Sequence, residues 1–226
     1  MKFKEKIEFP RRFFVTGTDT EVGKTLICAV LMIGLKAGYW KPIQSGFSGV
    51  TDTDWIRKAS GLPDNFFFPE TYKLSQPLSP HASAQSDGVK IEIESFHLPD
   101  DERCSHLIVE GAGGVMVPLN ERHFMVDLMK RLDLPVILVA RSTLGTINHT
   151  LLSLEQLRQN NLEVFGVVMN GPKNEINKAA IETYGRTTVL AEVEMLSEVN
   201  SKSLQDAYRY FNKMPETTAP SQISQN

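Results

Sequence analysis

An apolar stretch, Phe13-Phe14-Val15, runs into Gly17-Thr18-Asp19-Thr20-Glu21-Val22-Gly23-Lys24-Thr25 and then into an apolar segment from Leu26 to Leu35. Strand, glycine-bearing turn and helix in that order constrain the chain more than any other feature, because together they make a cradle for phosphate. Glycines let backbone N–H groups approach a polyphosphate, and the helix start aims its positive end at the same point. Lys24 then reaches the outer phosphates, and the Thr25 hydroxyl can hold Mg²⁺. Five residues separate Gly17 from Gly23, where the common phosphate loop has four. The loop is therefore one residue longer, or starts at Thr18.

Apolar strands recur with helical patterns between them, the signature of a parallel sheet wrapped by crossover helices. Strands are expected at Phe13–Val15, Tyr39–Ile43, Leu107–Glu110, Val136–Ala140, Val164–Asn170 and Val189–Val193. Helices are expected over Lys24–Ala37, Thr53–Ser60, Met125–Leu132, Thr146–Asn160 and Asn174–Tyr184. The fold class is α/β, a single domain with a mostly parallel sheet flanked by helices, like the P-loop NTP hydrolases. Residues 1–11 read as an N-terminal extension, 12–214 as the domain, and 215–226 as a disordered tail. From Pro215 onward the chain is rich in Thr, Ser, Gln and Pro, with little apolar surface to bury. Val89–Glu94 alternates apolar and charged residues, which suits an edge strand, a short helix before Pro99 being the alternative.

The net charge of −3, from 24 basic and 27 acidic residues, gives no field that would hold a nucleic acid or an anionic membrane. The longest apolar run, Leu26 to Leu35, is too short to span a bilayer. MKFKEKIEFPRR carries charges and no apolar core of a secretory signal. Cys28 and Cys104 make no metal spacing and no disulfide framework. A cytoplasmic protein is expected.

Ligands of an open parallel sheet sit beyond the C-terminal ends of its strands. In Lys41-Pro42-Ile43-Gln44-Ser45-Gly46, a strand-end lysine and a serine four residues on would face the phosphate cradle. A lysine snorkelling beside a Pro/Gly turn explains the same pattern. In Asp52-Thr53-Asp54, Asp52 reads as a helix N-cap and Asp54 as an inward carboxylate for Mg²⁺. Glu110 follows Leu107-Ile108-Val109, so its carboxylate leaves the core at a strand tip and needs a cation or a proton donor to offset desolvation, for which Mg²⁺ would serve. The following loop could instead solvate it. Gly145-Thr146-Ile147-Asn148 should open a helix whose free N–H groups attract a carboxylate, a property of every helix start. Asn170 could read an adenine edge through its amide, or form an ordinary Asn-Gly turn. Of five histidines, only His81 lies near an expected substrate loop, and none has metal-ligand spacing.

Taken in order, GTDTEVGKT, KPIQSG, the DTD triplet, SPHASAQ, VEGAGG with VPL, LPVILVA and LGTINH resemble the dethiobiotin synthetase family of the biotin pathway. The resemblance covers roughly residues 12 to 196. It implies an ATP-dependent cyclo-ligase that joins diaminopelargonic acid and CO₂ through a carbamate and a carbamic-phosphoric anhydride, releasing ADP and phosphate. By resemblance, Lys41 and Lys24 are catalytic, and Thr25, Asp54 and Glu110 hold Mg²⁺. Glu21, Val22, Gly23, Lys24, Thr25, Leu26, Asp54, Glu110, Gly111, Ala112, Gly113, Asn170 and Gly171 line the ATP. Thr20, Lys41 and Ser45 match substrate positions. The family is a homodimer in which the partner's helix start holds the substrate carboxylate, here Gly145, Thr146, Ile147 and Asn148. Two departures stand out: Val193-Glu194 replaces a frequent Ile-Pro, which puts the ATP contacts at Glu194, Met195 and Leu196 in question. An interface tyrosine also lacks a clear counterpart, Tyr184 being a candidate. Rivals are a related P-loop ligase, such as a cobyrinic acid diamide synthase, or a ParA/MinD-like ATPase switch. The former adds a glutaminase domain for which the chain has no room. The latter carries a second lysine where this chain has Asp19.

Overall fold

The computed structural model describes residues 7–47 and 49–212. The first strand, β1 (Arg12–Gly17), feeds α1 (Lys24–Leu35), followed by β2 (Gly38–Trp40), β3 (Ile43–Ser45) and α2 (Asp52–Ser60). Short elements β4 (Phe67–Phe68), β5 (Tyr72–Leu74) and α3 (Pro80–Ser86) precede β6 (Leu107–Gly114) and α4 (Met125–Leu132). Strand and helix then alternate through β7 (Val136–Arg141), α5 (Thr146–Gln159), β8 (Val164–Asn170), α6 (Glu175–Gly185), β9 (Val189–Val193) and α7 (Ser201–Tyr208).

Seven strands form one sheet in the order β4-β2-β6-β1-β7-β8-β9, every pair parallel. Side chains alternate across it. Phe13, Val15, Tyr39, Ile108 and Val139 face a layer shared with Ile27 and Leu31 of α1 and Leu204 of α7. Phe14, Trp40, Val109 and Leu138 face the opposite layer, with Leu128 of α4 and Leu157 of α5. Cover on both faces is why these strands read as near-continuous apolar runs. Phe9, ahead of β1, packs its ring against Phe13, Phe165 and Phe211, so the core begins before Arg12.

Two expected elements differ. The strand expected over Tyr39–Ile43 breaks at Lys41-Pro42, because proline has no N–H to continue a ladder. Beyond the break, β3 pairs with β5 in a separate two-stranded sheet, and the Pro42 carbonyl accepts from Thr71 and Tyr72 N–H at 3.0 Å each. Val89–Glu94 forms no strand: Ile91 and Ile93 are buried, with a 3-10 turn at Ile93–Ser95. Its alternation reports burial, not pairing. The tail expected from Pro215 lies outside the described residues.

Candidate active site

Parallel strands bring their C-terminal ends to one edge, where the phosphate loop, Lys41, Glu110 and Asn170 collect. Gly23 opens α1 with φ 94°, in the left-handed region. A Cβ there would lie 2.1 Å from Asn170 Nδ2, so the position requires glycine. Asn170 Nδ2 donates to the Val22 carbonyl at 3.0 Å, tying the tip of β8 to the loop. Thr18 N–H donates to the Val139 carbonyl at 2.9 Å, and the Arg141 guanidinium to the Thr20 carbonyl at 3.0 Å. Lys24 is buried and donates to the Asp19 carbonyl at 3.0 Å. Burial lowers its pKa, with Glu110 acting in the opposite sense. A phosphate would offer this ammonium a full charge in place of a carbonyl dipole.

Glu110 on β6 has a side chain with 0% exposure. Its Oε1 accepts from Lys41 Nζ and Thr25 Oγ1, each at 2.9 Å, and its Oε2 accepts from Tyr39 Oη at 2.8 Å. Taking a carboxylate out of water costs several kcal/mol, and these three donors offset that cost. Lys41 Nζ also pairs with Asp52, so one ammonium bridges two carboxylates. Burial works to lower the Lys41 pKa, but Glu110 and Asp52 outweigh it, and the pKa is raised. Gln44 braces this wall: Oε1 accepts from Asp52 N–H at 3.1 Å, and Nε2 donates to the Gly46 carbonyl at 3.0 Å. Ser45 Oγ is buried without a hydrogen-bond partner among the described residues.

Two ammonium groups, a hydroxyl and two carboxylates thus converge beside the loop. Their hard oxygens suit Mg²⁺, which takes one or two carboxylates and completes its shell with water and phosphate. No group of three or more His, Cys, Asp or Glu among the described residues could hold a metal by itself.

Asp54, expected to point inward at Mg²⁺, does not. Thr51, not Asp52, caps α2, its Oγ1 accepting from Asp54 N–H at 3.1 Å. The Asp54 side chain, 50% exposed, then turns to Thr51 and Arg57, and the Thr51 hydroxyl, more than Arg57, lowers its pKa. Asp52 is the carboxylate facing Lys41. All four residues of Thr51-Asp52-Thr53-Asp54 are of types that cap helices, and local pattern does not choose among them. Tyr39 and Gln44 also escape a motif reading, although Tyr39 lies two residues before Lys41 and so on the same face of the sheet.

The other expected residues lie around this centre. Gly111, Ala112 and Gly113 continue β6 past Glu110, and Thr20 sits exposed on the phosphate loop. Gly145 opens α5 at φ 90°. Thr146 N–H is already bonded to the Thr143 carbonyl at 3.2 Å, and its hydroxyl donates to the Arg141 carbonyl at 2.5 Å. Ile147 and Asn148 therefore carry the open donors of that turn. No hydrogen bond among the described residues joins the turn to Lys24, Lys41 or Glu110. Gly171 N–H donates to the Val193 carbonyl at 2.9 Å. Beyond β9, Glu194 meets Tyr210 at 3.3 Å and Lys173 at 4.0 Å, while Met195 is exposed.

A central strand, a phosphate loop, a helix and parallel neighbours carrying carboxylates at their tips define a P-loop nucleotide-binding protein. Residues 11–203 match an AAA domain family. The fold is shared with the septum site-determining protein MinD complexed with Mg-ADP from Pyrococcus horikoshii, at a TM-score of 0.54 and 11% identity, covering 88% of this chain and 93% of that one. A ParA family ATPase from Chlorobium tepidum gives 0.52 and 13%, covering 90% and 91%. The ATP-dependent dethiobiotin synthetase of Paramagnetospirillum magneticum is 47% identical over 86% of this chain and 93% of its own. That of Bradyrhizobium diazoefficiens is 44% identical over 88% and 94%. The chain belongs to the ATP-dependent dethiobiotin synthetase family.

Proposed function

We propose that this chain is the ATP- and Mg²⁺-dependent ligase that makes dethiobiotin from 7,8-diaminopelargonic acid and CO₂. Family membership supports the reaction, and the Lys41–Glu110–Asp52 constellation beside the phosphate loop supports its chemistry. One amine of the substrate takes up CO₂ and loses a proton, giving a carbamate. A carbamate oxygen attacks the γ-phosphorus, and ADP leaves with the electron pair of the broken P–O bond. The second amine attacks the carbonyl carbon of the resulting anhydride, expels phosphate, and closes the ureido ring. No enzyme nucleophile is needed, so catalysis consists of positioning and charge neutralisation.

Lys24 neutralises the outer phosphates. Lys41, released from its carboxylates, faces the carbamate and the transferring phosphoryl group. Ser45, with its buried free hydroxyl, supports a substrate contact. When bound, Mg²⁺ supplies charge neutralisation of the phosphate oxygens, and Thr25, Glu110 and Asp52 are the residues that would hold it. Gly145, Ile147 and Asn148 offer the acid end of the substrate a helix start, contributed by the partner in a homodimer. The supporting observation is an exposed apolar face next to that turn, with Leu144 fully exposed and Leu152 and Tyr184 largely so. Among the described residues no helix is long and apolar enough to cross a membrane.

The test is ADP release with ATP, Mg²⁺ and bicarbonate, with and without the diamine. Release that depends on the diamine and matches dethiobiotin formed is expected. Equal release without the diamine would leave only an ATPase.

A further inference from the structure

The β2 strand turns a second polar side chain toward Glu110. Tyr39 pairs with Ile108 in the ladder, and alternation puts it on the same face as Lys41 and Glu110. The ring is fully buried, edge-on to Phe67 at 6.4 Å, and the hydroxyl donates to Glu110 Oε2 at 2.8 Å. The two oxygens of Glu110 are thereby divided. Thr25 and Lys41 both approach Oε1, while Oε2 points into the core toward Tyr39.

We propose that Tyr39 is a positioning residue for the cation site, its hydroxyl fixing the rotation of Glu110 so that Oε1 alone faces the phosphate loop. This rests on reading Glu110 as a holder of Mg²⁺. The rotation matters because Mg²⁺ demands near-ideal octahedral geometry, so a carboxylate free to turn presents the wrong oxygen part of the time. The buried Cys28 thiol also interacts with Glu110, but as a weak donor. Outer-sphere partners of metal-holding groups are typically worth about 10- to 100-fold in metal affinity.

Tyr39→Phe keeps the ring and its contact with Phe67, so the fold is expected to survive. ADP affinity measured by calorimetry with and without Mg²⁺ gives the tightening due to the metal, a readout independent of turnover. In the variant, metal-free ADP affinity should stay within about twofold of wild type, while the Mg²⁺-dependent tightening falls about tenfold. Phe67→Leu trims the packing and leaves the hydroxyl, so it should lower the melting temperature and retain the full tightening. Wild-type tightening in Tyr39→Phe would make Tyr39 a core residue only and overturn the proposal, leaving the Glu110 reading intact. A wild-type enzyme whose ADP affinity ignores Mg²⁺ would overturn both.

Discussion

Asp52 and Asp54 stand two positions apart on one helix start and have opposite environments. Asp52 shares the Lys41 ammonium with the buried Glu110, whereas Asp54 is spent on the Thr51 cap and on Arg57. Asp52→Asn should therefore raise the Mg²⁺ concentration for half-maximal turnover by about tenfold or more, the usual scale for losing a charged group next to a metal. Asp54→Asn should leave that concentration within about twofold, and a metal titration on both variants checks the pair. The reverse ranking would return the cation to Asp54. At this scale the sequence was most legible where chemistry is carried by a fixed local motif, as at Lys24 and Thr25. It was least legible where a choice between two caps one residue apart decides which carboxylate faces the centre. Tyr39 acts through Glu110, 71 positions away, which no local spacing reveals, whereas Gln44 reaches only across the following loop to Asp52 N–H.

Among the elements, the central strands announced themselves because both faces are covered and their middle positions are nearly all apolar. Less apolar pieces were harder to see. The two-residue β4 only edges the main sheet, β5 pairs with β3 outside it, and α7 starts with an Asn200 capping box ahead of a brief amphipathic helix. Lys41-Pro42 was readable as a strand end but not as the point where the chain changes sheet. Each central strand also needs its register held, and β1 is anchored by Arg12 at its first residue. Arg12 donates to both oxygens of the buried Asp101, ahead of β6, at 2.9 and 2.5 Å. The Arg12 hydrogen bonds lead the causes that hold Asp101 below its ordinary pKa. A depressed carboxylate stabilises the fold above its unfolded pKa of about 3.9. That stability is lost as pH falls through the lower folded value. Asp101→Asn should cost about 2 kcal/mol at neutral pH. The gap from wild type should close below about pH 4. Denaturant unfolding from neutral to acid pH measures it, and a gap independent of pH would show that charge is not the link.

On the scale of the whole molecule, the nucleotide half of the centre is built within one chain. The proposed carboxylate-binding turn at Gly145–Asn148 meets it through Arg141, whose carbonyl accepts from Thr146 and whose guanidinium donates to Thr20, with no hydrogen bond among the described residues to Lys24, Lys41 or Glu110. The exposed Leu144, Leu152 and Tyr184 flank that turn, and Leu152 stands one helical turn beyond Asn148 on α5. An apolar face of this kind marks an interaction surface. The chain should sediment as a homodimer, and Leu152→Glu should shift it to monomer and lower turnover with the diamine by about tenfold or more, the scale set by a lost positioning contact. A fully active monomer would remove the shared site. Nothing local in the sequence could specify this face, because exposure is a property of the assembled fold.

In the proposed reaction ATP activates a carbamate that faces Lys41, while Lys24 neutralises the outer phosphates. Carbamate attack on the γ-phosphorus moves one oxygen of CO₂ into the released phosphate. Turnover with ¹⁸O-labelled CO₂, sampled before it exchanges with water, and mass analysis of the phosphate therefore test it directly. One ¹⁸O per phosphate, in step with dethiobiotin formed, is expected; unlabelled phosphate from productive turnover would rule out carbamate attack on the γ-phosphorus.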